Sequence, residues 1–310
     1  MKYIISSKIN YTKLICDDAG PSYAKNFGWE SVPISQWDTD DNVVIVDNRI
    51  TSEECDHLKK IIDSKSECKF VFKIVDPLYD SAIWTNWYYD FLRQIAKNEK
   101  VAFLSVYQPA EWVSDLAKYV GGDRVYVLPY PYIKSKEISG LELSNRRNKI
   151  ILTGARHKDI YPLRERMWKA RKLSPVFRFI CDGLEHPGYS DLGDNVSTGV
   201  IGKNYINLIS NYRWMFLCPS RVQIELMKYL ECAYAGCAPV GGIPYGLPKE
   251  AKDAFVQFPS GLGWTIKLAH LISSEDSERR SYLYRTVMRN LRDPQTMNNE
   301  FLRWVDWVFV

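Results

Sequence analysis

A lysine and a glutamate stand three positions apart in the stretch KYLECAYAGCAPVGGIP, residues 228–244. Apolar residues recur at helical spacing through its first half, so Lys228 and Glu231 are predicted to share one face of a helix. A carboxylate can accept hydrogen bonds from two neighbouring hydroxyl groups, such as those of a ribose, and an ammonium group can bind phosphate. The alternative interpretation is an exposed salt bridge, worth about 0.5 kcal/mol.

The sequence on either side of this pair also fits a ligand site. The helix is predicted to begin near residues 221–223, directly after the strand-like segment FLCPS. The N–H groups at that end would form a seat for a diphosphate. The small residues that follow, Gly236, Gly241 and Gly242, would allow the backbone to lie close to a ligand.

Two more segments of the same half supply candidate binding residues. In TGARHKDIYPLR, Gly154 permits a tight turn, while Arg156 and Lys158 offer positive charge to an anionic leaving group. Arg156 and Lys158 could equally be solvated loop residues. Arg164 is a weaker candidate for the same role, because it could form an ion pair with a nearby acidic residue. Tyr205, in GVIGKNYINLI, could stack on a nucleobase or belong to the core.

A general base for an acceptor hydroxyl is expected in the first half of the chain. Asp76 ends an apolar run before a proline, and Asp18 precedes a Gly-Pro pair in a predicted loop. Asp47 and Asp17 are further candidates, and a turn or cap role is an alternative for each. The sequence contains no H-E-x-x-H, G-x-S-x-G or P-loop motif, and its four histidines are dispersed, so no metal ligands are expected.

Composition limits the class of protein. A chain of 310 residues, 46% hydrophobic, favours two domains, and a net charge of +4 is low for a dedicated duplex-binding protein. Nucleic acid is therefore not favoured as a partner, although it stays open. The seven cysteines include no C-x-x-C pair, and no apolar run approaches the ~18 residues of a membrane span. These features predict reduced thiols and a cytoplasmic protein.

The candidate binding and catalytic residues lie in two halves of the chain, and in each half predicted strands alternate with predicted helices. Continuous apolar runs between helical segments are typical of buried parallel strands. Predicted strands lie at 3–6, 42–47, 69–76, 101–107, 124–129, 149–154, 176–181, 213–219, 237–242 and 254–258. Predicted helices lie at 52–65, 84–98, 110–119, 162–172, 203–210, 223–235, 277–291 and 296–308. The proline- and charge-rich run 129–148 is predicted to be a linker, which gives an acceptor domain at 1–145, a donor domain at 146–292 and a C-terminal helix at 293–310.

The motifs of the second half resemble those of a known family. ELMKYLECAYAGCAPVG is similar to the nucleotide-sugar signature of GT-B glycosyltransferases, and FLCPS is similar to a segment of their exostosin-like members. ILTGARHKDIYPLRERMW and HPGY resemble stretches of bacterial members. The resemblance covers residues 149–244, whereas the first half matches only in its α/β rhythm.

This resemblance implies an α/β fold of the GT-B type. Two Rossmann-like, doubly wound domains would face a central cleft, with the C-terminal helix crossing back to the first domain. Glu231 matches the donor-ribose carboxylate and Lys228 falls near the diphosphate, while the backbone of Val222, Gln223 and Ile224 would lie beneath the phosphates. Many retaining members carry a glutamate where this sequence has Gln223, so the resemblance leaves inverting and retaining transfer open.

The implied function is transfer of a sugar from a nucleotide donor to a hydroxyl group of a glycan or lipid-linked saccharide. We expect a hexosyl- or pentosyltransferase that uses a UDP- or GDP-sugar as co-substrate, with no cofactor and no metal. Two alternatives are a phage-type enzyme that glycosylates modified DNA bases and a non-catalytic nucleotide-sugar-binding protein. For the terminal WVFV, contact with a membrane or an acceptor lipid is the alternative to packing against the protein, and it would place the protein at the inner membrane face.

Overall fold

A computed structural model describes residues 1–11, 20–38, 41–64, 67–75, 86–107, 122–139, 145–186, 200–221, 223–259 and 261–310. The strands of this part of the chain are β1 Lys2–Ile5, β2 Glu30–Pro33, β3 Val43–Val46, β4 Lys69–Ile74, β5 Val101–Ser105, β6 Val125–Val127, β7 Arg147–Thr153, β8 Cys181–Leu184, β9 Tyr212–Leu217, β10 Ala238–Gly241 and β11 Val256–Gln257. Its α-helices are α1 Pro21–Asn26, α2 Ser52–Ile62, α3 Asn86–Ile95, α4 Pro162–Leu173, α5 Pro175–Ile180, α6 Gly202–Ile209, α7 Met227–Ala235, α8 Lys249–Lys252, α9 Trp264–Ser274, α10 Ser277–Leu291 and α11 Pro294–Val308.

The chain divides into two compact units. Unit 1 comprises Met1–Pro131 and Arg292–Val310, and unit 2 comprises Tyr132–Leu291. The first division falls inside the run 129–148 that the sequence suggests as a linker, before the predicted boundary at residue 145. The second lies beside the predicted boundary at residue 292.

Unit 1 is built on a parallel sheet with the strand order β2-β1-β3-β4-β5-β6. The central strands are buried on both faces and mostly apolar, as the sequence predicts for strands that are covered on both sides. Helix α2 begins at a capping box, in which the Thr51 hydroxyl accepts from the Glu54 N–H and the Glu54 carboxylate accepts from the Thr51 N–H. Buried side chains on this helix, including Leu58 and Ile62, join the core of the sheet.

The last helix, α11, belongs to unit 1. It begins after Asp293, whose carboxylate accepts hydrogen bonds from the Thr296 N–H and hydroxyl groups at 2.8 Å each. Phe301 is fully buried, with its ring centroid 5.3 Å from that of Trp29. Trp304 donates its indole N–H to the Asp123 carbonyl at 2.9 Å. These contacts make α11 part of the core of unit 1.

Unit 2 repeats the architecture with a five-stranded parallel sheet in the order β11-β10-β9-β7-β8. In its own chain order this is the arrangement 2-1-3-4-5, in which the winding direction reverses between β7 and β9. The core consists of apolar side chains from the strands and from helices α4, α5 and α9, such as Trp214, Phe216 and Phe177. Both units thus have the doubly wound topology that the sequence predicts.

One predicted strand is wrong. Residues 176–181 were expected to form a strand because of their β-branched and aromatic content, but Pro175–Ile180 form helix α5 and the strand begins at Cys181. Ser174 caps this helix by accepting from the Phe177 N–H at 3.2 Å, and Pro175 occupies its first position. A capped, proline-initiated turn outweighs the β-propensity of the segment.

A second difference concerns α7, which begins at Met227 and not near residues 221–223. The predicted helix 110–119 lies outside the described residues. Strand β2 and helices α1, α8 and α9 were not predicted from the sequence. Among the described helices, none is both long and apolar enough to cross a membrane.

Replacing the buried phenyl ring of α11 tests its role in unit 1. We expect Phe301→Ala to lower the free energy of unfolding by about 3–5 kcal/mol, because it leaves a cavity beside Trp29 and Tyr126. Urea unfolding followed by circular dichroism measures the change. Trp307, 59% exposed on the same helix, is the matched control, and Trp307→Ala should change stability by less than about 0.5 kcal/mol. Equal effects of the two substitutions would contradict this packing.

Candidate functional site

The winding of unit 2 identifies one edge of its sheet as a place for ligands. In open α/β sheets, ligands bind beyond the carboxyl ends of the strands, where the winding direction reverses. Here that point lies between the ends of β7 and β9, which lead into Gly154 and Cys218. Several of the residues singled out in the sequence come together at this edge.

Gly154 brings two cationic side chains close to the end of β7. Its φ of +95° favours glycine, and an added Cβ would lie 2.8 Å from Nη1 of Arg164 and 3.4 Å from Cε of Lys228. The buried Arg164 guanidinium donates from Nη1 to the Ala155 carbonyl at 3.0 Å. A larger residue at position 154 would push these cations away from the strand end.

A chain of polar contacts connects β7 with α6 and α7. The Lys228 ammonium donates to the Tyr205 hydroxyl at 2.9 Å, and that hydroxyl lies 2.7 Å from Oγ1 of Thr153. Because the ammonium has no acceptor capacity, Tyr205 accepts from Lys228, whereas either hydroxyl can be the donor between Tyr205 and Thr153. The Lys228 Nζ also lies 2.9 Å from Oε2 of Glu231. The predicted pair therefore exists and is tied to two neighbouring elements.

The Lys228–Glu231 contact differs from an ordinary exposed salt bridge. The two side chains are only 22% and 21% exposed, and Lys228 is held by Tyr205 as well as by Glu231. Oε2 of Glu231 is buried, and its contact with the ammonium is not aligned as a hydrogen bond. The carboxylate is thus held in an ion pair, while part of the side chain is exposed.

The protonation states around Lys228 favour binding of an anion. Burial alone would lower the pKa of Lys228, but the Glu231 charge and the Tyr205 contact outweigh it and raise the pKa above its usual range. Burial raises the pKa of Tyr205 to about 12, so its hydroxyl stays protonated. Burial, Lys228 and Arg164 all lower the pKa of His186, which follows β8, so its imidazole is neutral at pH 7.

The opposite end of α7 is fixed by side chains from outside the helix. Arg285 on α10 donates to the carbonyls of Ala233 at 2.8 Å and Tyr234 at 3.1 Å. Arg146 donates to the carbonyls of Ala235 and Gly236, and the Ser281 hydroxyl donates to the Gly236 carbonyl at 2.6 Å. Gly236 itself ends the helix in the left-handed conformation. Arg146 and Ser281 thus satisfy carbonyl groups that a helix end otherwise leaves unpaired, while Arg285 adds a second donor to two carbonyls that already accept from backbone N–H groups.

The segment between β9 and α7 contains unusual backbone geometry. Ser220 and Gln223 have positive φ values of 64° and 59°, although neither is glycine. The Arg221 N–H donates to the Ile160 carbonyl at 2.8 Å, and the Gln223 carbonyl accepts from the Tyr245 N–H at 2.6 Å. Such strain costs about 1–3 kcal/mol per residue and is concentrated at binding sites. A strained loop, not the first helical turn, thus contains Gln223, one of the residues predicted to lie beneath the phosphates.

The three predicted phosphate-seat residues have different environments. Gln223 lies in the strained loop, and Ile224 is a buried apolar residue. Val222 lies outside the described residues. Because α7 begins four residues beyond Gln223, its first N–H groups belong to Met227 and the residues after it, and Lys228 stands in the first turn.

Among the described residues, no contact joins Arg156 or Lys158 to the cluster of side chains around Gly154. Arg156 forms a 3.4 Å ion pair with Glu165 and lies over the Trp168 ring, while Lys158 is exposed. Arg164, which the sequence suggested would pair with an acid, is instead the buried arginine beside Gly154. The first-turn position of Arg164 on a helix that follows β7 was the available signal. Roles for Arg156 and Lys158 in donor binding stay predictions.

The paired glycines at the end of β10, Gly241 and Gly242, have a packing explanation. A Cβ on Gly241, whose φ is +131°, would lie 2.3 Å from the Leu217 carbonyl oxygen of β9. A Cβ on Gly242 would lie 2.5 Å from Cδ of Pro219. Close approach within the protein therefore requires small residues here, whereas the sequence suggested close approach to a ligand.

The predicted catalytic residues cannot be placed, because Asp76 and Asp18 lie outside the described residues. Asp47, the other strand-end candidate, is fully buried at the end of β3 in unit 1. It accepts from the Tyr3 hydroxyl at 2.9 Å and lies 3.6 Å from the Lys73 ammonium. Asp47 thus takes part in an internal network. Within the described ranges, no three His, Cys, Asp or Glu side chains are grouped as a metal site requires.

Comparison with solved structures gives the fold. HepE of Anabaena, solved with UDP and glucose, superimposes with a TM-score of 0.60 at 9% identity, covering 98% of each chain. WaaG, a glycosyltransferase involved in lipopolysaccharide biosynthesis, gives 0.56 at 10% identity, covering 96% of this chain and 97% of WaaG. TarM gives 0.55 at 9% identity over 86% of this chain, which spans only 55% of TarM. The predicted GT-B fold is confirmed.

Comparisons of sequence add nothing to this result. No family model matches the chain, and no curated protein matches it. At identities of about one in ten the structural likeness concerns the fold, and residue roles must be argued from this chain's own geometry.

The fixed carboxyl end of α7 can be tested through Arg285. We expect Arg285→Met to lower the free energy of unfolding by about 2 kcal/mol, because two hydrogen bonds from a charged guanidinium to part-buried carbonyls are lost, and such bonds contribute more than neutral ones. Arg289, one turn later on α10, forms a two-bond pair with Glu137 at the surface and is the control. Arg289→Met should cost less than about 1 kcal/mol in the same urea titration. A loss at Arg289 as large as that at Arg285 would show that the carbonyl contacts are unimportant.

Proposed function

We propose that this protein is a glycosyltransferase that moves a hexosyl or pentosyl group from a UDP- or GDP-sugar to a hydroxyl group. The acceptor would be a glycan or a lipid-linked saccharide. The observation that carries the proposal is the pairing of Lys228 and Glu231 on α7, beside Gly154 and Arg164, at the reversal point of a doubly wound sheet. Solved structures of the same fold support it, including one that contains UDP and glucose.

In this proposal the cationic groups bind the donor diphosphate. Lys228 and Arg164 converge on Gly154, and the first N–H groups of α7 add the positive end of a helix dipole. Lys228 donates one hydrogen bond to Tyr205 and contacts Glu231, so a third N–H remains for phosphate. The neutral His186 imidazole can become protonated when an anion binds, which would strengthen the contact.

Glu231 would bind the donor ribose. Its carboxylate stands one helical turn after Lys228, and two vicinal hydroxyl groups can donate to its two oxygens. Tyr205 has a positioning role in this scheme, because its buried hydroxyl fixes the Lys228 ammonium between Thr153 and the helix. This differs from the stacking role that the sequence suggested for Tyr205.

The reaction follows from this arrangement. The acceptor oxygen forms a bond to the anomeric carbon while the bond from that carbon to the diphosphate oxygen breaks. The electron pair of the broken bond stays on the diphosphate, whose increased charge Lys228 and Arg164 stabilise. The acceptor proton passes to a general base, for which Asp76 and Asp18 remain the sequence-based candidates.

Binding of the donor diphosphate and binding of the donor ribose can be distinguished by experiment. We expect Glu231→Gln to weaken UDP and uridine binding alike, by roughly tenfold to a hundredfold, since a charge-assisted bond to ribose is lost. Lys228→Met should weaken UDP binding by a similar factor and leave uridine binding unchanged. Isothermal titration calorimetry with the two ligands measures both effects, after a thermal-shift panel of nucleotide sugars has identified the preferred base.

Lys249→Met on α8 is the control, since this exposed lysine lies on a different helix. It should leave both affinities unchanged. Normal UDP affinity in a folded Glu231→Gln or Lys228→Met protein would refute the proposed donor site. Normal donor binding without transfer to any saccharide would refute the catalytic part of the proposal alone.

We also propose that transfer needs no divalent metal. Lys228, Arg164 and the α7 N-terminus offer positive charge to the diphosphate without an ion. Hard cations would instead require several oxygen ligands beside the phosphates. Transfer rates in excess chelator should therefore equal those with magnesium or manganese. Activity that disappears in chelator and returns only with metal would overturn this part.

A further inference from the structure

Helices α4 and α5 together present apolar side chains to solvent. Leu173, at the end of α4, is 79% exposed, and Val176 and Phe179 on α5 are 47% and 78% exposed. Val176 and Phe179 stand three residues apart, so they share one face of α5, while Phe177 and Ile180 bury the opposite face. We call Leu173, Val176, Phe179 and the cations of residues 166–180 the α4–α5 surface.

The same segment carries a concentrated positive charge. Residues 166–180 contain five basic side chains and no acidic one: Arg166, Lys169, Arg171, Lys172 and Arg178. Lys172 and Arg178, both exposed, form no ion pair with any described residue. The nearest acids in sequence are already paired, Glu165 with Arg156 and Lys169, and Asp182 with Lys149 and Arg147. The segment therefore combines exposed apolar side chains with an excess of positive charge.

Sequence alone gives no reason for these exposed apolar residues. The core of unit 2 is complete without them, because Phe177 packs against Trp264 of α9 at 5.3 Å between ring centroids. Exposing a phenylalanine and a leucine beside several cations is typical of surfaces that bind an interface between water and lipid. Apolar side chains enter the acyl boundary, and the cations bind anionic headgroups.

We propose that the α4–α5 surface docks this protein on an anionic lipid bilayer. Phe179, Leu173 and Val176 would insert between headgroups, with Lys172 and Arg178 bound to their phosphates. The charge pattern favours a lipid bilayer over a protein as the partner. A protein that bound this surface would need acidic side chains placed around an apolar pocket. The location differs from the C-terminal WVFV, to which the sequence directs membrane contact. The proposal is independent of the donor site, because none of these residues takes part in it.

The experiment measures co-sedimentation of the full chain with vesicles. Phosphatidylcholine vesicles are compared with vesicles that also contain phosphatidylglycerol, at low and high salt. We expect binding to the anionic vesicles only, weakened by salt. The double substitution of Leu173→Ser and Phe179→Ser should lower the partition coefficient roughly tenfold. The pair Lys172→Glu and Arg178→Glu should lower it at least about tenfold, since each cation contributes about fivefold.

Trp307→Ser is the matched control, because it removes another exposed aromatic residue, this one from the C-terminal helix. It should leave vesicle binding unchanged, and unchanged circular dichroism and UDP affinity would show that every variant is folded. The proposal is wrong if the unsubstituted protein does not bind anionic vesicles, or if both α4–α5 variants bind as well as it does. It is also wrong if only Trp307→Ser abolishes binding, or if the surface retains duplex DNA more tightly than vesicles.

Discussion

The capping of α7 by side chains from outside the helix is the interaction on which the site depends. Arg146, Arg285 and Ser281 donate to the last carbonyl groups of the helix, and two of these donors place positive charge at its negative end. A helix held in this way cannot slide along its axis without breaking several charged hydrogen bonds. Lys228 and Glu231, in the first turns at the other end, therefore have fixed positions relative to β7.

The charged side chains of the site already lie close together in the protein without a ligand. Two cations, Lys228 and Arg164, repel each other and are brought together by the absence of a side chain at Gly154. Glu231 partly offsets that repulsion, and the protonated Tyr205 hydroxyl orients the ammonium. An anion that enters such a site meets donors that need little rearrangement, which is the condition for strong electrostatic stabilisation of a charged leaving group.

Local patterns predicted most of the fold because they agree with the tertiary structure. Apolar runs such as 101–107 became buried strands, and α10 has the bounds that its periodicity predicts. The failures occur where several local signals compete, as at 176–181, where the Ser174 cap and Pro175 outweigh β-propensity. The pair of Lys228 and Glu231 could be predicted from spacing. The sequence ranks Arg164 below Arg156 despite its first-turn position, because an acid lies near it in the chain, whereas its packing against Gly154 depends on the tertiary structure.

The position of α11 in unit 1 has a consequence for synthesis of the chain. The Trp29 indole donates to the Asn298 side chain, a contact between residues 269 positions apart, whereas unit 2 is a single continuous segment. Contacts of such long range form late, since closing a long loop costs entropy before the contact can form. A ribosome therefore releases all of unit 2 before the helix that completes unit 1 emerges. The first unit to begin synthesis is the last that can finish folding.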